Sequence, residues 1–486
     1  MNVINILIDS LNRHMISPYG GEVPTPNMDR LAKKGIVFDN YFIGSAPCMP
    51  VRHELMSGRK EFFRRGWGPM EPFDDHIASR ARAAGATTAM ITDHYHYWEY
   101  SAHGYFERFN SVCMIRGHEL DMYNTDILTE IPEWVRRIDE WRPGWGSVYY
   151  NNVKDFRDEN DFFAPKTFRE ASDWLDKNHS HDPFMLWVEC FDTHEPFHVP
   201  EPYASMFTDE KTGDHNCWPP YQNGYCGHNK EWWEQASEKD IEFIRAQYMG
   251  KVAMTDAHLG KLLDKLDRYS LWDNTMVILT TDHGHELGEK RRFGKQPPYY
   301  DLSAHIPLIV YAPKVQPGRC GAFATAVDIY PTILEALGAE SGAPHGRSLM
   351  PLLYKKTDQH RDAVVYGSFG AGATITANGY TYHTSWDADA ELYEYSANML
   401  YPVPEATSGR FIPGVDCPVW KMPKRWVERP PYPELLFDRK ADPRQEDNIV
   451  GSQPGIRKAM RDLLRSEMES EGVPQEQYKR LMLDMD

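Results

Sequence analysis

The sequence has no apolar run of the roughly 18 residues needed to span a bilayer, so no transmembrane helix is expected. Its start lacks a basic segment, a sustained apolar core and a small-residue cleavage site, and a cytoplasmic protein is expected. Val3–Ile8 is apolar but short and runs straight into Asp9, as a core strand does. Cysteine is scarce and odd in number: seven residues, spread from Cys48 to Cys417. That excludes a disulfide framework and suits a reducing compartment. Positive charge is in deficit as well, with 53 Lys and Arg against 71 Asp and Glu, a formal net charge of −18. A general nucleic-acid binder needs a basic footprint and is therefore excluded. An anionic substrate would have to enter a local positive pocket against the overall field. There is no internal repeat and no low-complexity tract.

What the sequence does contain is an alternation of short apolar runs with amphipathic stretches. Helical spacing marks 25–35, where Thr25-Pro26 opens and Gly35 closes a helix, and also 168–177, 241–269 and 328–338. This order predicts an α/β fold, a large mostly parallel sheet sandwiched by helices. Near residue 360 the pattern changes. Ala363–Tyr366 and Ala373–His383 read as strands of a second sheet, and Gln453–Met485 as closing helix. We therefore expect a catalytic α/β domain over 1–360. A smaller C-terminal α+β domain, with a small antiparallel sheet and terminal helix, is expected over 361–486. Residues 110–160 and 198–235, rich in Trp and Tyr without clear periodicity, read as long insertions over a site.

Four apolar runs end in Asp or His: Asp9, then Asp93 and His94, then Asp192 and His194, then Asp282 and His283. Each alone is explained by turn or capping chemistry. Together they suggest one shared site beyond the carboxyl ends of the strands, where open α/β sheets bind ligands. A further segment, Cys48-Met49-Pro50-Val51-Arg52, has the form C-x-P-x-R. Pro50 suits a first helical turn. Cys48 then sits at a helix N-terminus, whose amides favour an anion, and Arg52 lies one turn on, on the same face.

This segment resembles the type I, formylglycine-dependent sulfatases of the alkaline phosphatase superfamily. The likeness continues through Thr25-Pro26-Asn27-Met28-Asp29-Arg30, Ser57-Gly58-Arg59, Thr281-Asp282-His283-Gly284 with Leu287-Gly288-Glu289, and Tyr300 to Val310. It extends to Asp328-Ile329-Tyr330-Pro331-Thr332, Gly346-Arg347-Ser348-Leu349, and Glu434-Leu435-Leu436-Phe437-Asp438 with Asp442-Pro443. These stand in the family's order and span nearly the whole chain. The resemblance implies an alkaline phosphatase-like fold and hydrolysis of an aryl or carbohydrate sulfate ester. A formylglycine-generating enzyme would oxidise Cys48, and a homo-oligomer is possible for such a chain.

The same resemblance implies the site residues. One divalent cation, calcium first and Mg2+ or Mn2+ otherwise, is held by Asp9, Asp282, His283 and the oxygen of modified Cys48. Ser10 stands where many members carry another acid or a Gln. Arg52 supports the nucleophile, Lys295 binds the sulfate, and His194 contacts the sulfate and protonates the leaving alcohol. His94 and His96 take the places of a substrate-binding Lys and a His. His96 then serves as the base that releases sulfate from residue 48. A shift of one residue would promote Asp93 instead. A formylglycine-dependent phosphonate monoester or phosphodiester hydrolase is the nearest alternative. A non-catalytic relative that binds metal and anions is the remote one. Separately, His215, Cys217, Cys226 and His228 form an H-x-C…C-x-H pattern, readable as a zinc site or as an incidental feature of an irregular lid.

Overall fold

In the computed structural model the described residues are 1–99, 102–220, 229–424 and 431–484. In chain order the first strands are β1 (Asn2–Ile8), β2 (Ile36–Phe42), β3 (Thr87–Thr92), β4 (Ser111–Met114), β5 (Phe184–Cys190) and β6 (Thr275–Thr280). A two-residue hairpin, β7 (Glu286–Leu287) and β8 (Phe293–Gly294), precedes β9 (Leu308–Tyr311) and β10 (Gly318–Thr325). The main sheet has eight strands in the order β10-β2-β9-β6-β1-β5-β3-β4, and only β9 runs against its neighbours.

The central strands read as continuous apolar runs because both faces are covered. Val3 and Leu7 of β1, with Met185, Trp187, Met276 and Ile278, enter one core layer. Ile4, Ile6 and Ile8, with Leu186, Val188, Val277 and Leu279, enter the other. The first layer is closed by the helices Cys48–Ser57, Ile77–Ala83 and Ile329–Leu337. The second is closed by Pro26–Lys34, Phe163–Asn178 and the long helix Glu238–Arg268. The predicted helices thus form, with ends displaced by a few residues.

After Ala363 the chain builds β11 (Ala363–Gly367), β12 (Ala373–Ala377) and β13 (Tyr380–His383), then β14 (Tyr393–Ser396), β15 (Thr407–Gly409) and β16 (Val419–Pro423), and lastly β17 (Leu435–Asp438). β11-β12-β13-β17 form an antiparallel sheet under the helix Pro454–Ser470, and β14-β16-β15 form a smaller one. The run 373–383 is therefore two strands rather than one. Asn378 (φ 52°) and Gly379 (φ 82°) make a two-residue left-handed turn between them. The closing helix is likewise two, Pro454–Ser470 and Gln475–Arg480, interrupted at Gly472 (φ 60°) and Pro474. The second sheet packs on the segment leading to Cys48. Gly367 N–H donates to the Gly44 carbonyl at 3.1 Å, and the Gly367 carbonyl accepts from Ala46 N–H at 2.8 Å. Part of the first insertion is also sheet, since β4 pairs in parallel with β3 at the edge.

Candidate active site

β1 lies between β5 and β6, so the chain leaving these three neighbours converges at one end of the sheet. Asp9 follows β1 directly and Asp282 stands two residues beyond β6. The helix Cys48–Ser57 brings its first residue to the same point. Asp9, Cys48, Asp282 and His283 each offer a donor atom, all within 4.8 Å of one another and all buried. The strand-end pattern and the C-x-P-x-R segment therefore meet in space.

Arg52 is fully buried and holds this floor together. Its Nη2 donates to Asp9 at 2.8 Å, Nη1 to Asp282 at 2.6 Å and to the Cys48 carbonyl at 3.0 Å, and Nε to Glu189 at 2.5 Å. One guanidinium thus faces three carboxylates. Burial and the neighbouring Asp282 push the Asp9 carboxyl well above its usual range. Burial acts the same way on Asp282, but His283 and Arg52 hold it well below. Ser10, with φ 59°, turns its hydroxyl to donate to Asp9 at 2.7 Å and its amide to Asp282 at 3.1 Å.

His283 Nδ1 lies 3.0 Å from the Gly284 carbonyl, so it carries the ring proton. That leaves the Nε2 lone pair facing Cys48 Sγ at 3.1 Å and an Asp282 oxygen at 3.3 Å. Burial pushes the imidazole down to about 4, so it is neutral. Two carboxylates and a neutral imidazole lone pair, on a floor whose three acids face one guanidinium and so lack two positive charges, form a donor set that fits a divalent cation. Burial also pushes the Cys48 thiol up, and as a plain thiol it is a poor nucleophile.

Across from this floor, His194 Nδ1 donates to the Glu195 carbonyl at 2.8 Å and its Nε2 accepts from the Lys295 ammonium. Burial keeps His194 well below its ordinary value. The imidazole expected to carry a transferable proton is therefore neutral here, and the proton on its open side belongs to Lys295. Glu195 lies 3.6 Å from Lys295 and accepts from His285 Nε2 at 3.1 Å. The loop is fixed from behind by Lys251, which donates to the His194 and Pro196 carbonyls and pairs with Asp192 at 2.6 Å. Asp192 also takes His118 Nε2 at 3.0 Å.

His94 is fully buried, with Nδ1 3.9 Å from Asp9 and, among the described residues, neither ring nitrogen hydrogen-bonded. His96 lies beside it, ring centroids 4.9 Å apart. The base expected at His96 is corrected by its surroundings: Nδ1 meets Glu99 at 2.9 Å and Nε2 meets Glu119 at 3.4 Å. Burial opposes the charge, yet the two carboxylates push the imidazole up to about 9. At neutral pH it is a cation and has no lone pair to accept a proton. Asp93 is spoken for elsewhere, accepting the Phe191 amide at 2.6 Å.

Sequence reasoning missed Glu189, Glu195 and Glu119. The first two lie in β5 and just after His194 and carry a signal in hindsight, an acid inside an apolar strand and one beside a site histidine. Glu119 stands in an insertion without periodicity, and nothing local marks it. Of the H-x-C…C-x-H pattern, His215 is paired with Asp240 at 2.7 Å and Glu210 at 3.3 Å. Cys226 and His228 lie outside the described residues.

The family model described as Sulfatase matches residues 1–339. The chain is 26% identical to the multifunctional alkaline phosphatase superfamily protein PehA of Trinickia caryophylli, covering 95% of this chain and 93% of that one. It is 24% identical to a choline-sulfatase of Rhizobium meliloti (strain 1021), over 93% of this chain and 83% of the relative. Among solved structures, the phosphonate monoester hydrolase of Agrobacterium radiobacter superposes with a TM-score of 0.68 at 20% identity, covering 97% and 96% of the two chains.

Proposed function

The chain belongs to the sulfatase family, and from that premise we propose that it hydrolyses an aryl or carbohydrate sulfate monoester at Cys48 matured to formylglycine. The observation that carries this reading is the meeting of Cys48, Asp9, Asp282 and His283 on one buried floor, faced by Lys295 and His194. Asp9, Asp282, His283 and residue 48 would hold one divalent cation, calcium first, with magnesium and manganese as the alternatives that metal analysis separates. When bound, such a cation supplies charge neutralisation and a lowered pKa for an oxygen on residue 48. The modification itself supplies a hydrated aldehyde with two hydroxyls, one to attack sulfur and one to release sulfate.

The chain's own residues do the rest. Arg52 fixes both metal-binding carboxylates through separate nitrogens, so neither can swing away as charge changes on the floor. His283 is locked in the tautomer that presents Nε2. Lys295 binds a sulfate oxygen and, with His194, forms a unit holding one transferable proton beside the leaving oxygen. On the open side the His96 cation partly offsets Glu119 and Glu99, and His94, neutral and with no hydrogen bond among the described residues, is available to the substrate. Cys48 is only 2% exposed, so the maturation enzyme would have to reach it before the chain closes over it.

A second reading, phosphonate monoester or phosphodiester hydrolysis, is favoured by Ser10, which leaves the floor one acid poorer and binds Asp9 instead. Rates of matured, metal-loaded protein on nitrophenyl sulfate, a phenyl phosphonate ester and a phosphate diester decide between them. The sulfate is expected to be fastest. A dominant diester or phosphonate rate would keep the floor and overturn the substrate class.

A further inference from the structure

Side-chain exposure rises along one line of contacts leading away from the floor. Asp9 and Asp282 are fully buried, Glu119 is 7% exposed, His96 12% and Glu99 37%. The steps are contiguous: Asp9 to His94, His94 to His96, and His96 to both glutamates. An alcohol part leaving the floor along this line of rising exposure would pass His96 and Glu119. The mouth is built differently from the floor. Its single imidazolium faces two carboxylates, so it carries one negative charge in excess, whereas a divalent cation would balance Asp9, Asp282, Glu189 and Arg52. Glu119 sits where the two flanks meet, since its Oε2 is 3.4 Å from His96 and also 3.9 Å from His194 Nδ1. That oxygen is buried and, among the described residues, without a hydrogen bond, on a residue with φ 47°. The Tyr95 ring packs 4.2 Å from His96, and the Trp67 ring meets it edge-on at 4.9 Å. The wall is thus aromatic and acidic, and an extra anion beside it would be repelled in a poorly hydrated place.

We propose that Glu119, assisted by Glu99, is a specificity-determining residue that selects leaving alcohols carrying no second anion, neutral or cationic, over polyanionic esters. The proposal rests on the floor being the reacting centre. It adds a substrate class to that reading: singly sulfated compounds whose remainder is uncharged or positively charged.

The test uses matured, metal-loaded full-length protein and three nitrophenyl sulfates whose rings carry no charge, a carboxylate or a trimethylammonium group. Comparing each variant with the wild type, substrate by substrate, cancels the intrinsic reactivity of the esters. Glu119→Gln is expected to raise kcat/KM for the carboxylated ester relative to the neutral one by about tenfold, and to lower the relative value for the cationic ester. Glu99→Gln, on a more exposed side chain, is expected to do the same by about threefold, less at high salt. It also stands in if the buried substitution impairs folding. Equal changes on all three esters in both variants would overturn the proposal, as would a wild type that prefers the carboxylated ester. If sulfates are not turned over but phosphonate esters are, the same charged series on phenyl phosphonates tests the selectivity. Failure of the reaction class and failure of the selectivity are therefore told apart.

Discussion

The floor and the mouth of the site are about one histidine apart, yet they are assembled by opposite means. The floor is made of residues at strand ends and at the first turn of a helix, each held by a rigid element on either side. Its ionisable groups are fully buried and tied to one another, with Arg52 bonded to three acids at once. The mouth is made of a short turn after β3 and a residue from the first insertion, partly wetted, with pairs rather than a network. Chemistry placed on the floor is costly to alter. Selectivity placed at the mouth is adjustable without disturbing what lies beneath.

The comparison breaks most severely at Cys48. Cys48→Ala removes the group that matures into the nucleophile, and turnover is expected to fall on the order of 10^6-fold, as when a covalent nucleophile is deleted. The side chain is small and the fold should persist, so the check is a rate assay beside a thermal melt. Near-normal activity would remove Cys48 from the chemistry. Next comes Arg52→Met, which strips the guanidinium from Asp9, Asp282 and Glu189. Breaking a buried charge network by removing one partner costs about 3–5 kcal/mol. Denaturant unfolding should show that loss in the metal-free protein and a smaller one with divalent cation added. A loss below about 1 kcal/mol in both would mean that Arg52 does not hold the floor.

This division also explains what was legible in the sequence. Asp9, Asp282, His283, Cys48 and Arg52 were readable because strand ends and helix starts leave local patterns: an apolar run ending in an acid, and a proline inside a first turn. His194 was marked by the strand-end pattern, Lys295 by its position in a familiar order of motifs, and their mutual contact was not foreseeable from residues 101 positions apart. His96 was read as a base, whereas in the structure two carboxylates face it. Its protonation is favoured by Glu119, which no periodicity marks, together with Glu99. The main sheet was readable from its doubly buried strands. The hairpin at Asn378-Gly379 was not seen because the flanking strands share one apolar character, although Asn-Gly is itself a strong turn signal.

Between floor and mouth stands the Lys295–His194 pair, and His194→Ala probes it. Removing a group that helps protonate the departing oxygen should cost about 10^2- to 10^4-fold with an alkyl sulfate. The cost with nitrophenyl sulfate should be much less, since its phenolate leaves without a proton. Equal losses on both would assign the pair to sulfate binding alone.

The smallest effect is expected at the mouth. Burial disfavours the His96 cation, but Glu119 and Glu99 push its pKa up to about 9, above the ordinary value of about 6.5. A raised pKa in the folded state means that the pair's contribution to stability is complete below about 6.5 and is lost as pH rises through about 9. The positive charge offered to the substrate follows the same curve, so kcat/KM should fall on an alkaline limb near pH 9. Glu99→Gln removes the more exposed of the two carboxylates and should move that limb, read on the uncharged ester, towards neutrality by less than about one pH unit. Floor groups titrate differently: burial holds His283 at about 4, below the range in which the limb is read. A limb that stays fixed in Glu99→Gln would therefore locate the titrating group elsewhere than at His96. A limb that moves would show that the mouth tunes its own charge while the floor remains constant.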